Sequence, residues 1–209
     1  MRSLTADFYD RPVLQVARDL IGCTVIHGPT AGVIVETEAY HQDEPACHTF
    51  VGLTARTRTL FGPAGRSYVY RSYGIHALLN AVCEAEGIGA AVLIRALSPV
   101  TGIELMRTRR RRPPRPSGPP ITAALPDVEL CSGPGKLTQA LDIELGHNDR
   151  SLRTGPVRIA AAAGPWLEVP VAAGPRVGIT RATELPWRFC VIGDRNVSRP
   201  RPGAAAAAG

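Results

Sequence analysis

The chain has 209 residues, 44% hydrophobic and 20% charged, which is the profile of a globular protein with one core or at most a tight pair of small domains. Its net charge of +6 points to an anionic partner, and all but one of its 24 basic residues are arginine, Lys136 being the single lysine. No apolar run approaches the ~18 residues of a membrane span, and the opening Met1–Asp7 lacks the apolar region of a secretory signal, so a cytoplasmic chain is expected.

In chain order, Val13, Val16, Ala17, Leu20 and Ile21 follow helical spacing, and Gly22 ends that helix. Cys23–His27 reads as a short strand, 28–32 as a turn, and Val33–Tyr40 as a second strand. Side chains alternate along a strand, so Glu36, Glu38 and Tyr40 share one face while Val35, Thr37 and Ala39 share the other. Gln42–Gly65 is polar and rich in turn formers, the pattern of a long functional loop. Ser67–Ser72, Ile75–Val82 and Ala90–Leu97 read as an antiparallel meander whose first turn is Tyr73-Gly74. Ser98-Pro99 predicts a helix through Met106, with Ser98 as its N-cap.

From Arg109 through Pro120 the composition collapses to Arg, Pro, Ser and Gly, which predicts a disordered loop near 108–126 inside one domain spanning 1–199. A short helix is expected near Gly133, then strands at Val157–Ile159, Arg176–Thr180 and Phe189–Ile192, and a low-complexity tail over 200–209. Cys23, Cys47, Cys83, Cys131 and Cys190 are scattered without a C-x-x-C pair, so buried free thiols are expected rather than a zinc or iron–sulfur site.

Two carboxylates at i and i+2 fit a solvated strand face. With Tyr40 beside them they also fit a carboxylate that activates water next to a stacked planar ring. Tyr68 and Tyr70 suit a buried aromatic ladder or a stacking surface. An aromatic at the turn, Tyr73, suits insertion into a nucleic-acid stack. Ser132-Gly133-Pro134-Gly135-Lys136-Leu137 is not a nucleotide P-loop, because Leu137 stands where a magnesium-binding Ser or Thr belongs and Leu130 replaces the first glycine. It can still aim backbone N–H groups and Lys136 at a phosphate. The arginine run 109–112 reads as a solvated patch or a non-specific DNA grip. His48 lacks a partner at metal-ligand spacing and reads as a hydrogen-bonding or stacking residue.

Taken together, Val35-Glu36-Thr37-Glu38-Ala39-Tyr40, His48, Tyr68-Val69-Tyr70-Arg71-Ser72-Tyr73-Gly74, Asn80, Leu93-Ile94-Arg95-Ala96 and Leu130–Leu137 resemble, in this order, the alkyladenine (3-methyladenine) DNA glycosylases of the mammalian and bacterial type. The resemblance covers the chain from its first helix to Ile192. It implies an α+β single domain, a mostly antiparallel curved sheet with short flanking helices and a protruding β-hairpin. It implies a monofunctional, monomeric, nucleoid-associated enzyme acting on double-stranded DNA with damaged purines, without metal or cofactor. By the same resemblance Glu38 activates water for attack on the deoxyribose C1′, and Arg95 and the Val177 carbonyl hold that water. The flipped base stacks between Tyr40 and the pair Tyr70 and His48, Asn80 borders the pocket and disfavours guanine, and Tyr73 is the wedge. Ser132, Gly133, Lys136 and Arg107 are expected to hold phosphate. The chain departs from the family pattern at Thr57, where asparagine is expected, and at Leu60, where methionine is expected. Both changes bear on substrate preference.

A non-catalytic β-rich nucleic-acid-binding module would use the same tyrosines and arginines without needing Glu38. A sugar hydrolase would need two carboxylates on opposite sides of a sugar, and Glu36 and Glu38 are neighbours on one strand face.

Overall fold

A computed structural model describes residues 2–72, 74–111 and 125–201. Two helices come first, α1 (Ala6–Tyr9) and α2 (Val13–Asp19), followed by strands β1 (Thr24–His27) and β2 (Thr30–His41). The meander is β3 (Ser67–Ser72), β4 (His76–Val82) and β5 (Ala90–Thr101). Helices α3 (Ile103–Arg110), α4 (Asp127–Leu130) and α5 (Pro134–Leu141) come next, then β6 (Val157–Ala160), β7 (Val171–Gly174) and β8 (Arg188–Val191). The result is an α+β single domain built on one antiparallel sheet of eight strands.

The sheet runs β3-β4-β5-β2-β1-β6, with β8 added to β2 and β7 to β8. β2 is its axis. On one side it pairs with β5 along most of its length; on the other it pairs first with β1 and then, at Glu36–Glu38, with β8. The middle of β2 therefore has backbone partners on both edges, and register shifts around Glu36 mark a bulge there. Bulges re-aim side chains, which lets Ile34 and Val35 both join the core while Glu36 and Glu38 turn to the other face.

The core lies where α2 covers β2. Val16, Ala17 and Leu20 are fully buried with Ile34, Val35 and Ala39, and Thr37 on the same face donates its hydroxyl to the Ala17 carbonyl at 2.7 Å. Leu137, Ala140 and Leu141 of α5 join Leu79, Ile94 and Leu97 from the meander in the same cluster. Each of the valine, leucine and isoleucine side chains contributes about 1.5–3 kcal/mol by leaving water. All five cysteines are free and buried.

Three expectations need correction. The helix expected from Ser98 begins at Ile103, because β5 continues through Pro99. β4 pairs with β5 only over Ala91–Leu93, so Pro99 lies on a stretch open on that edge and its missing N–H is not required there. The turn into α3 is made by Gly102 at φ +73, where a Cβ would meet the Pro29 carbonyl oxygen at 2.5 Å. Next, Arg176–Thr180 is not a strand: β7 ends at Gly174, and the following segment folds around the Arg176 side chain, which bonds to the carbonyls of Ala39 and Ala182. Last, Arg109 and Arg110 are the end of α3 rather than loop, bonded to Ala140 and Gln139 of α5. The rest of the arginine/proline loop over 112–124, the tail from 202 and Tyr73 lie outside the described residues.

Candidate active site

The long polar loop of 42–65 contains two single turns of 3₁₀ helix, His48–Val51 and Arg58–Phe61, which carry His48 and Leu60 against the face of the meander opposite the main core. There Leu60, Tyr68, Val82 and Ala91 form a second small cluster, with Tyr70 packed against it. Tyr68 and Tyr70 stack with ring centres 5.3 Å apart, and His48 meets the Tyr70 ring edge-on at 4.7 Å. Tyr68 is buried, while Tyr70 remains partly open.

These rings form one wall of a cleft of about 1100 Å³. Tyr40, Val177 and Arg95 line it as well, together with Asn80, whose amide donates to the Tyr68 carbonyl at 3.0 Å. Its rim is cationic, with Arg56, Arg71, Arg110, Arg111, Lys136 and Arg181. The cleft thus joins an aromatic slot to a surface suited to a phosphodiester backbone. Lys136 Nζ donates to Ser132 Oγ at 3.2 Å, and Gly133 lies beside them in the cleft wall. Gly135 packs so closely on His76 that a Cβ would stand 2.7 Å from the imidazole Cγ. The structure does not bring Arg107 to this cleft. Its guanidinium bonds to Glu104, Asp127 and the Leu125 carbonyl, where two carboxylates balance its charge.

Glu38 lies beneath this lining, fully buried. Its Oε1 accepts the Val177 N–H at 2.7 Å, and its Oε2 accepts the Tyr40 hydroxyl at 2.8 Å and an Arg95 guanidinium N–H at 3.2 Å. Burial pushes the Glu38 carboxyl above the usual carboxylate range. Arg95, the Val177 amide and the Tyr40 hydroxyl pull it back without cancelling the rise, and the nearby Glu36 adds to it. Burial and the adjacent carboxylate keep the Tyr40 phenol protonated far above neutrality, so Tyr40 is a firm donor. Burial and then Arg56 lower His48, which is neutral at pH 7. Arg56 can only donate to His48 Nε2, at 3.4 Å, so the ring proton is assigned to Nδ1, facing the Tyr68 hydroxyl at 3.2 Å.

Glu36 is not on a solvated face either; it is fully buried, held by Arg95, Arg188 and Ser198. Sequence reasoning missed those last two partners. An arginine inside the apolar strand Arg188–Val191 was the available signal, because a buried guanidinium requires a carboxylate. Also missed was Arg176, whose guanidinium stacks on Tyr40 at 4.7 Å and on Trp187 at 5.3 Å, backing the Tyr40 ring. Among the described residues no group of three or more His, Cys, Asp or Glu side chains could hold a metal ion. Nor is any described helix long and apolar enough to cross a membrane.

Comparison with known proteins places the chain among relatives of one kind. A family model described as methylpurine-DNA glycosylase (MPG) matches residues 7–195. A protein of Bradyrhizobium diazoefficiens is 49% identical over 202 residues, covering 96% of this chain and 93% of its own length. One from Methanoculleus marisnigri is 47% identical over 202 residues, covering 94% and 99%. A third, from Rubrobacter xylanophilus, is 44% identical over 187 residues, covering 88% and 90%. All three carry the name "Putative 3-methyladenine DNA glycosylase".

Proposed function

The chain belongs to the methylpurine-DNA glycosylase family, and on that premise we propose how its own residues carry out excision. It is a DNA glycosylase of base-excision repair, a hydrolase that binds damaged DNA. A base inside a duplex is out of reach, so the damaged purine is extruded at a cost of a few kcal/mol and received by the cleft. Tyr40 covers one face of the base, and Tyr70 with His48 covers the other. Asn80 forms the wall that disfavours guanine. Tyr73, between Ser72 and Gly74 in the sequence, takes the role of the wedge that replaces the lost stacking.

The observation that carries the reading is the Glu38 carboxylate under the aromatic slot. An ionised carboxylate accepts about four hydrogen bonds. Protein donors supply three, which leaves one direction for a water proton. That water gives its proton to Glu38 as its oxygen bonds to C1′. The bond from C1′ to the purine nitrogen breaks, and its electron pair leaves with the base. Burial makes Glu38 a stronger base than an exposed carboxylate, and Arg95 faces both Glu38 and the Val177 carbonyl, the second at 3.3 Å. A cationic alkylpurine departs without further protonation, so 3-methyladenine and 7-methylguanine suit this site better than neutral hypoxanthine, for which no acid stands out.

The enzyme is monofunctional on this reading. A lyase step needs an amine on C1′, and the only lysine, Lys136, is a rim residue bonded to Ser132. Glu38→Gln keeps shape and removes the proton acceptor. Single-turnover excision of 7-methylguanine from a duplex should fall about 10²–10⁴-fold while lesion binding persists. A variant within tenfold of the parent would make Glu38 structural.

A further inference from the structure

Four buried charges alternate in sign across the sheet. Arg188, on β8, donates its Nε to Glu36 Oε1 at 2.7 Å. The same oxygen accepts Arg95 Nε, from β5, at 3.0 Å, and the next nitrogen of Arg95 reaches Glu38. Ser198 closes the far end. Its N–H binds Glu36 Oε2 at 2.7 Å, its hydroxyl binds Oε1 at 2.8 Å, and its carbonyl accepts from Arg188 at 3.0 Å. Glu36, Arg188 and Ser198 are not among the residues that line the cleft. Buried ion networks are costly to desolvate, and apolar residues of similar volume commonly serve stability as well or better. A network kept beside a general base calls for a role in its chemistry.

We propose that Glu36 and Arg188 are positioning residues that set the proton affinity of Glu38 through Arg95, Glu36 raising it and Arg188 lowering it. This rests on Glu38 being the general base. The reason lies in how Arg95 is divided. Glu36 holds it by Nε, so only one of its nitrogens meets Glu38, at 3.2 Å. A guanidinium given wholly to Glu38 in a two-bond fork would stabilise the carboxylate and weaken it as a base. Arg188 works in the opposite sense by neutralising Glu36.

The other titratable groups around Glu38 do not compete with this chain. Arg176 approaches from the loop after β7, but Glu44 balances it through bonds of 2.6 and 2.9 Å. Burial raises the phenols of Tyr40 and Tyr70, and it pushes the Cys190 thiol, across from Glu36 on β8, up to about 12. All three stay neutral over the working range.

The test is the pH dependence of single-turnover excision of 7-methylguanine, a cationic leaving group that needs no acid, so the acid limb reports the base alone. Glu36→Gln should move that limb to lower pH and Arg188→Gln to higher pH. Arg188→Lys should keep the parental limb. The double variant Glu36→Gln, Arg188→Gln removes one charge of each sign and should return the limb close to the parent's, which keeps the test available if a single variant does not fold. Single variants that move the limb the same way, or a double variant whose limb stays displaced, would overturn the inference. So would plateau rates that fall with no limb moving, which is what a merely structural network would give. If Glu38→Gln retains both activity and limb, the general-base reading itself has failed. If Glu38→Gln is inactive while the other limbs stay in place, only the charge chain has failed.

Discussion

Two arginine–carboxylate clusters meet Tyr40, one at its ring face and one at its hydroxyl, and they are built differently. Behind the ring, Arg176 and Glu44 form a closed pair: two bonds join one guanidinium to one carboxylate, and both side chains are buried. Toward the bulge in β2, Arg95 is divided between Glu36 and Glu38, and Glu38 draws its remaining bonds from neutral donors. The closed pair balances its own charge with one cation against one anion. The divided arrangement leaves one carboxylate short of a full counter-charge, as proton abstraction requires. A closed pair holds a ring in place; an open one can hold a proton in transit.

The largest expected effect breaks the closed pair. Arg176→Met strands Glu44 in the interior and should cost about 3–5 kcal/mol in denaturant unfolding. The surviving folded protein should keep the acid limb of its excision profile, since Glu38 retains all three donors. A limb that moved with Arg176→Met would merge the two clusters into one functional unit. Tyr40→Phe acts on the open side. It keeps the stacking ring and removes one hydrogen bond to a charged group, a loss of about 1.5–3 kcal/mol in stability. That hydroxyl lowers the Glu38 pKa, so its removal should move the acid limb to higher pH.

A subtler contrast concerns stability against pH. The folded protein holds the Glu38 pKa above its ordinary value, so ionising Glu38 works against folding. Its contribution is intact below the ordinary carboxylate range and is lost as pH rises through the raised value. Thermal unfolding should therefore show Glu38→Gln more stable than the parent at neutral pH, with the advantage gone in acid. An equal gain at every pH would assign it to packing instead. The smallest effect is expected for the cationic rim. Lys136→Arg keeps the positive charge and should leave excision within about tenfold, with the same dependence on salt. Borohydride trapping on a lesion duplex should give no adduct with either protein, and an adduct lost in Lys136→Arg would replace water by Lys136 as nucleophile.

Much of this site could be read from β2 and the meander, where strand alternation aligns Glu36, Glu38 and Tyr40 and brings Tyr68 and Tyr70 to one face. The antiparallel order of β3, β4 and β5 followed from their tight turns. What alternation could not supply was depth. A carboxylate pair on a strand looks the same whether the opposite surface is water or a buried arginine, and the partners that decide it, Arg188 and Ser198, come from distant segments without a periodic signal. The Ser98-Pro99 pattern misled because a strand edge open on one side tolerates proline as readily as a helix start does. Arg176–Thr180 misled because the bonds of one side chain overrode the backbone preference of a short apolar run.

Ser198 reaches Glu36 across 162 residues of sequence, and that distance has a consequence for synthesis. A chain made from its N-terminus can assemble α2, the early strands and the meander while β8 is still untranslated. At that stage the aromatic slot and much of its cationic rim have been made, but Glu36 faces Arg95 with neither Arg188 nor Ser198 to balance it. The charge arrangement around Glu38 is therefore completed only once β8 has joined β2 and Ser198 has reached Glu36.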